Sequence, residues 1–366
     1  MKEKVGKNKV IHMLDRGVMN METKVWIVDN SNDLSLSYPQ IAQAAALLMK
    51  NEVVAFPTET VYGLGANARS DEAVGKIYEA KGRPSDNPLI VHIATKEQLY
   101  EIAADVPEYV EKLIDVLWPG PITFVLPKRT GLSDRVTAGL NTVAVRMPDH
   151  PLALALIKEA DLPIAAPSAN LSGKPSPTRA AHVFDDLDGR IAGILDGGAT
   201  GVGVESTVLD CTQPFPVILR PGGVTKEQLE ELVGKVEVDQ ALIDEGHTPK
   251  SPGMKYTHYA PKAPLTIIEG SLSFFQEVID SAKSEGKKVG VLATAEQAES
   301  YQADVVFICG SRRDMHSVAA GLYEVLRKFD EADVDCIYSE SFSSEGVGQA
   351  VMNRLLKAAG HRIVKE

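Results

Sequence analysis

The chain has 366 residues, 44% hydrophobic and 24% charged, with 38 Lys and Arg against 50 Asp and Glu and a net charge of −12. That length suits two domains of ordinary soluble composition, and the acidic balance argues against tight nonspecific nucleic-acid binding, although a local basic cleft is compatible with it. Cys211, Cys309 and Cys336 lie far apart with no Cys-x-x-Cys pair, which excludes a disulfide framework and a cysteine zinc site and fits a reducing cytoplasm.

No apolar run approaches the ~18 residues of a membrane span. Residues 1–20 are basic but lack an apolar core or a small-residue cleavage site, so they read as a loose, disordered extension before Met21, or as an upstream start. Val25 to Val28 reads as a strand. Gln40 to Lys50 reads as a helix, with Ile41, Ala44, Ala45 and Leu48 at helical spacing. Glu52 to Phe56 is a strand running into Pro57. The run PTETVYGLG places Thr58, Thr60 and Tyr62 beside what reads as a flexible Gly63-Leu64-Gly65 turn. Ser70 caps an expected helix at 71–80 whose first turn carries Asp71 and Glu72, with Lys81 just past its end.

The next segment, KGRPSDNP, reads as a rigid exposed loop, because proline is excluded from helix interiors. Lys81 and Arg83 in it suit an anion such as phosphate; ordinary solvated surface charge is the alternative. Leu89 to Ile93 is a strand with Leu89, Val91 and Ile93 on one face and Ile90 and His92 on the other. Helices are expected at 107–117, 151–159 and 178–186, and strands at 122–126, 142–146, 163–167, 191–195, 205–210 and 216–220. On the strand TVAVRMP, Thr142, Ala144 and Arg146 share a face. Taken alone, Arg146 is expected in solvent, as arginine mostly is; the alternative is a cavity and a carboxylate partner. In APSANLSGKPSPT, Ala166, Ser168 and Asn170 fall on one side and Ser176 follows a turn, a set suited to a nucleotide or amino acid, or simply to a capped turn. The glycines of GGATGVGVESTVLD permit close approach to a ligand, or make a hairpin, ahead of Ser206 and Thr207. Arg220 stands at a strand end. No P-loop, dinucleotide fingerprint, metal-spaced histidine pair or serine-hydrolase elbow occurs.

After a helix at Lys226 to Val233, residues 241–264 read as a proline-containing linker. Its Tyr256, His258 and Tyr259 are unusual in a spacer. From Leu265 strands at 265–268, 288–292, 304–308 and 335–338 alternate with helices at 273–285, 314–329 and 347–359, a small parallel α/β unit. The expected architecture is therefore α/β: a mixed, twisted-sheet domain over 21–240 and a Rossmann-like parallel domain over 265–366.

Seven motifs in order, PTETVYGLG, KGRPSDNP, TVAVRMP, APSANLSGKPSPT, VESTVLD, LRPGG and SPGMKYTHYAP, resemble the threonylcarbamoyl-AMP synthases in their long form, with a YrdC-like catalytic domain and an added C-terminal domain. The resemblance runs from about Met21 to the end of the chain. It implies a nucleotidyltransferase that makes threonylcarbamoyl-AMP and pyrophosphate from L-threonine, bicarbonate or CO2, and ATP with Mg2+, with no metal ligand from the protein. The product would feed a threonylcarbamoyl transferase that modifies tRNAs reading ANN codons. The family signature appears as Lys81, Arg83, Ser168 and Asn170. By motif, Thr60, His92, Arg146, Ala166 and Ser206 would hold threonine, and Arg83, Asn87, Thr142, Ser168, Ser176, Arg220 and Tyr259 would hold ATP. Placing Tyr259 in the site would make the linker a lid. Hydrogenase-maturation carbamoyltransferases share the catalytic domain type but carry zinc-binding cysteine clusters, unlike the scattered cysteines here. A nonenzymatic RNA-binding module is disfavoured by the acidic charge.

Overall fold

The computed structural model describes residues 22–28, 34, 38–239, 242 and 258–366. The N-terminal extension and most of the expected linker therefore lie outside the described residues.

One mixed sheet contains β1 (Lys24–Ile27), β2 (Val54–Phe56), β3 (Gly63–Asn67), β4 (Ile90–His92), β5 (Ile122–Pro127), β6 (Thr142–Arg146), β7 (Ile164–Ala165), β8 (Gly193–Asp196), β9 (Thr207–Asp210), β10 (Val217–Arg220) and β11 (Glu237–Val238). Their order is β1-β8-β2-β3-β7-β4-β6-β5-β9-β10-β11. Parallel pairs such as β4–β6 and β5–β9 alternate with antiparallel ones such as β4–β7 and β5–β6. Helices α1 (Tyr38–Met49), α2 (Asp71–Lys81), α3 (Lys96–Ile102), α4 (Glu108–Leu117), α5 (Asp134–Thr137), α6 (Pro151–Ala160), α7 (Ala180–Leu187) and α8 (Lys226–Val233) surround it.

The two faces of the sheet are used differently. Leu64, Val91, Val143 and Val145 join the apolar faces of α2, α4 and α7 in the main core. On the opposite face, α1 and α6 cover Val54, Phe56 and Ile164. Ile90, Val125, Ala144, Val208 and Leu219 form a smaller cluster of their own. The expected alternation along β4 and β6 thus divides core from cleft floor.

A second, wholly parallel sheet follows: β12 (Leu265–Glu269), β13 (Val289–Thr294), β14 (Val305–Gly310), β15 (Cys336–Glu340) and β16 (Ile363–Lys365), in the order β14-β13-β15-β12-β16. It is wrapped by α9 (Leu272–Ser284), α10 (Met315–Glu331) and α11 (Val347–Ala358). This is the expected α/β architecture in both parts.

Several local expectations change. The supposed turn at Gly63-Leu64-Gly65 opens β3, paired antiparallel with β2. A Cβ on Gly65 would stand 2.7 Å from the Phe56 ring, so glycine there provides room for packing. Lys81 is the last residue of α2, with Gly82 at φ 60 as the left-handed cap. In KGRPSDNP only Gly82 and the tip Pro84-Ser85-Asp86 are exposed; Lys81 and Asn87 are buried. The short elements α3, α5, β11 and β16 were not expected from periodicity, which needs longer runs than these to register.

Candidate active site

A cleft open to solvent lies over the middle of the large sheet. Parallel register puts His92 of β4 beside Arg146 of β6. The loop after β2 supplies Thr58 and Thr60, and the segment after β7 supplies Ala166, Ser168 and Asn170. Arg83, Lys81, Ser206, Arg220 and Tyr259 complete the lining among the predicted residues. Asn87, Thr142 and Ser176 do not line it. Asn87 is buried nearby, its carbonyl accepting from the Tyr78 hydroxyl at 3.0 Å. Thr142 opens β6, and Ser176 donates to Glu205 at 2.6 Å.

Arg146 is buried, contrary to its ordinary surface expectation. Its Nη1 donates to Thr60 Oγ1 at 2.9 Å, and Thr60 Oγ1 lies 2.9 Å from Thr58 Oγ1. Nη2 stands 2.7 Å from Glu59 Oε2, yet out of line for a hydrogen bond, so among the described residues that donor and both Glu59 oxygens stay unsatisfied. The ion pair neutralises charge without saturating the fork. His92 packs edge-on against Phe56, with ring centroids 6.1 Å apart. Burial, reinforced by the Arg146 charge, pushes its pKa down to about 3, so the imidazole is neutral at pH 7. Its Nδ1 is buried with no hydrogen-bond partner among the described residues.

Arg83 has the least committed donors of the cleft arginines. Its Nε and Nη2 are buried yet have no hydrogen-bond partner among the described residues. A guanidinium in that condition costs free energy unless an anion completes it. Lys81 is the opposite case. Its ammonium donates to the Ser168 carbonyl and, at 2.6 Å, to the Asn170 carbonyl. It pins the segment that carries those residues, and burial followed by repulsion from Arg83 lowers its pKa well below the usual lysine value. Ser168 Oγ donates to Asn170 Oδ1 at 2.6 Å, while Asn170 Nδ2 holds the carbonyls of Leu171 and Lys174 at 2.8 and 2.9 Å.

At the other wall, Arg220 reaches the Ser206 carbonyl at 3.0 Å and its hydroxyl at 3.1 Å, and that hydroxyl also meets Thr123 at 2.8 Å. Glu205, which sequence reasoning left unassigned, is the cleft's carboxylate. Burial opposes its ionisation, but Arg354 and Arg220 outweigh that and hold its pKa down to about 2. Tyr323 and Arg354, far off in the chain, touch it; Arg354 lies on the apolar stripe of α11, which was the available signal. Tyr259 lines the cleft in a left-handed conformation at φ 65, stacked on Tyr323 with centroids 5.1 Å apart. Lys81, Arg83, Arg146 and Arg220 line the cleft against the carboxylate of Glu205, with Glu59 paired to Arg146, so basic side chains outnumber acidic ones around this cleft of an acidic protein.

Residues 46–222 match a family described as Telomere recombination, and residues 224–360 match the C-terminal domain of threonylcarbamoyl-AMP synthase. The threonylcarbamoyl-AMP synthase of Bacillus subtilis is 63% identical, over 94% of this chain and all of its own length. That of Pyrococcus abyssi is 50% identical, over 89% of this chain and 96% of its own. The crystal structure of P. abyssi Sua5 complexed with L-threonine superposes with a TM-score of 0.88 at 48% identity, covering 94% of this chain and all of that one. Matched in both parts and along nearly its whole length, the chain belongs to the threonylcarbamoyl-AMP synthase family.

Proposed function

We propose that this enzyme condenses L-threonine, bicarbonate or CO2, and ATP into threonylcarbamoyl-AMP and pyrophosphate. The threonine amine captures CO2 as a carbamate, whose oxygen attacks the α-phosphorus while pyrophosphate departs. Three anionic groups must be held together, so positioning and charge stabilisation carry the reaction and no side-chain nucleophile is needed. The observation that carries the reading is the buried donor pair of Arg83, without a hydrogen-bond partner among the described residues, in a cation-lined cleft.

In this assignment Thr60, His92, Arg146, Ser206 and the backbone of Ala166 hold threonine. The neutral His92 offers an imidazole nitrogen to a hydroxyl or amine, and Arg146 faces the carboxylate. Arg83, Asn87, Thr142, Ser168, Ser176, Arg220 and Tyr259 form the nucleotide end. Ser168 and Asn170 complete the signature, with Lys81 holding their backbone against the cleft. Mg2+ would arrive on the triphosphate. The oxygens of Glu205 are taken up by Ser176, Tyr323 and Arg354, which leaves them ill-suited to hold a metal. Residues 21–240 form the catalytic domain in this reading and 265–366 the second domain; the lid expected of the 241–264 linker falls mostly outside the described residues. The product passes to a transferase acting on tRNA in the cytoplasm.

The test is incubation with ATP, bicarbonate and labelled threonine. Labelled threonylcarbamoyl-AMP that requires all three substrates is the expected result; pyrophosphate release independent of threonine would overturn the reading.

A further inference from the structure

The C-terminal unit enters the wall of the cleft directly. α10 lies with its backbone on Gly203, where an added Cβ would stand 2.4 Å from Ala320 Cα. One turn further along α10, the Tyr323 hydroxyl meets Glu205 Oε2 at 2.9 Å. After another turn, Arg327 Nη2 donates to Asp186 Oδ2 at 2.9 Å and to the Pro175 carbonyl at 2.6 Å. From α11, the fully buried Arg354 donates through Nε to Glu205 Oε2 at 3.0 Å and through Nη1 to the Pro221 carbonyl.

These acceptors are not scattered. Asp186 also takes the Leu171 amide at 3.2 Å and Lys174 Nζ at 2.8 Å, so it holds the segment that follows Asn170. Glu205 takes the Ser176 hydroxyl and immediately precedes Ser206, while Pro221 immediately follows Arg220. Both arginines, from helices α10 and α11 of the C-terminal unit, thus grip backbone or carboxylate directly behind residues of the nucleotide end. The threonine end is braced differently: Arg146 is held by Thr60, Glu59 and the Gly120 carbonyl, all from the large-sheet unit.

We propose that the C-terminal unit is a clamp on the nucleotide end of the cleft, with Arg354 and Arg327 as positioning residues acting through Glu205 and Asp186. The proposal rests on the assignment of the two ends made above. It predicts an asymmetry: loosening the clamp weakens ATP and spares threonine. Neither arginine touches substrate, so the effect travels through the placement of Ser176 and Arg220, while Ser206 at the threonine end keeps its bond to Thr123 of the large-sheet unit.

The experiment uses the full chain with Arg354→Met, which keeps most of the side-chain bulk and removes the charge, and with Arg354→Lys. Arg354→Met should raise the KM for ATP about tenfold or more and leave that for threonine within about twofold, with Arg354→Lys recovering part of the loss. Calorimetric titration with ATP alone should show the same fall in affinity without turnover. A lower melting temperature with both substrate parameters unchanged, or equal losses for ATP and threonine, would overturn the clamp. Should Arg354→Met fail to fold, Tyr323→Phe removes a single hydroxyl and should still raise the KM for ATP about threefold; an unchanged value overturns the proposal. A wild-type chain that binds ATP but forms no threonylcarbamoyl-AMP would refute the reaction while leaving the clamp to be decided by the ATP titrations.

Discussion

Arg83 and Arg146 are both cleft cations, but their donors are committed to different degrees. Arg146 is tied to Thr60 and lies against Glu59, whereas two Arg83 nitrogens have no hydrogen-bond partner among the described residues. Arg83→Ala should therefore leave the melting temperature near wild type and mainly impair ATP use. Arg146→Ala should raise the threonine KM by a factor equivalent to about 2 kcal/mol or more, and should also destabilise the fold, because Glu59 loses its counter-charge. Steady-state kinetics with each substrate varied, alongside thermal melts, check both; the reverse pattern of substrate effects would refute the assignment of ends. Residue types were legible in the sequence where two-residue periodicity ruled, so that His92 and Arg146 were correctly set on the non-core faces of β4 and β6. The burial of Arg146 was not legible, since its partners Thr60 and Glu59 lie some 86 residues away along the chain. Lys81 was read as a cation suited to phosphate, but not as the brace of a segment starting at Ser168.

At the scale of elements, the glycines of GGATGVGVESTVLD show how a right signal can receive the wrong object. They do permit a close approach, but at Gly203 the approaching group is the backbone of α10. The segment is no hairpin either: β8 pairs in parallel with β1 and β2, whereas β9 pairs with β5 and β10. Gly203 combines φ 78 with that contact, so Gly203→Ala suffers both backbone strain and overpacking. It should cost about 1–3 kcal/mol and raise the KM for ATP, since α10 carries Tyr323 and Arg327. Urea unfolding and ATP kinetics read the two effects, and a variant as stable as wild type would show that α10 does not bear on this loop. α11 carried a comparable signal. Arg354 falls on the stripe of Val347, Ala350, Val351, Leu355 and Ala358, where an unpaired charge would be untenable. That placement implied a buried acceptor, but helical periodicity has no means of naming one in another unit.

For the whole molecule, strand and helix alternation revealed the two-part α/β architecture, because each part is built from segments that declare themselves locally. Their junction is built from residues far apart in sequence. Val61 and Val204 of the first part share a core cluster with Tyr259, Leu322 and Tyr323. With Glu205–Arg354 and Asp186–Arg327 buried in the same junction, calorimetry of the full chain should record one cooperative transition, and two separate peaks would contradict a shared core. Acid should weaken this fold in two stages. His92 is kept neutral with its pKa down to about 3, whereas the unfolded chain accepts that proton below about 6.5. Stability from this residue is therefore complete above about pH 6.5 and falls as the pH drops toward 3. Burial lowers the pKa of His150 and His182 in the same direction, so His92 is one contributor to this stage. Glu205 is held down to about 2, so its contribution is present above about 4.5 and is lost between there and 2. Each group can tilt stability by at most about 1.4 kcal/mol per pH unit within its window. Urea midpoints measured from pH 7 to pH 3 should therefore decline less steeply between 6.5 and 4.5 in His92→Asn than in wild type. The double variant Glu205→Gln, Arg354→Met should instead flatten the decline below about 4.5. Parallel curves for all three proteins would show that neither buried group is linked to folding in this way.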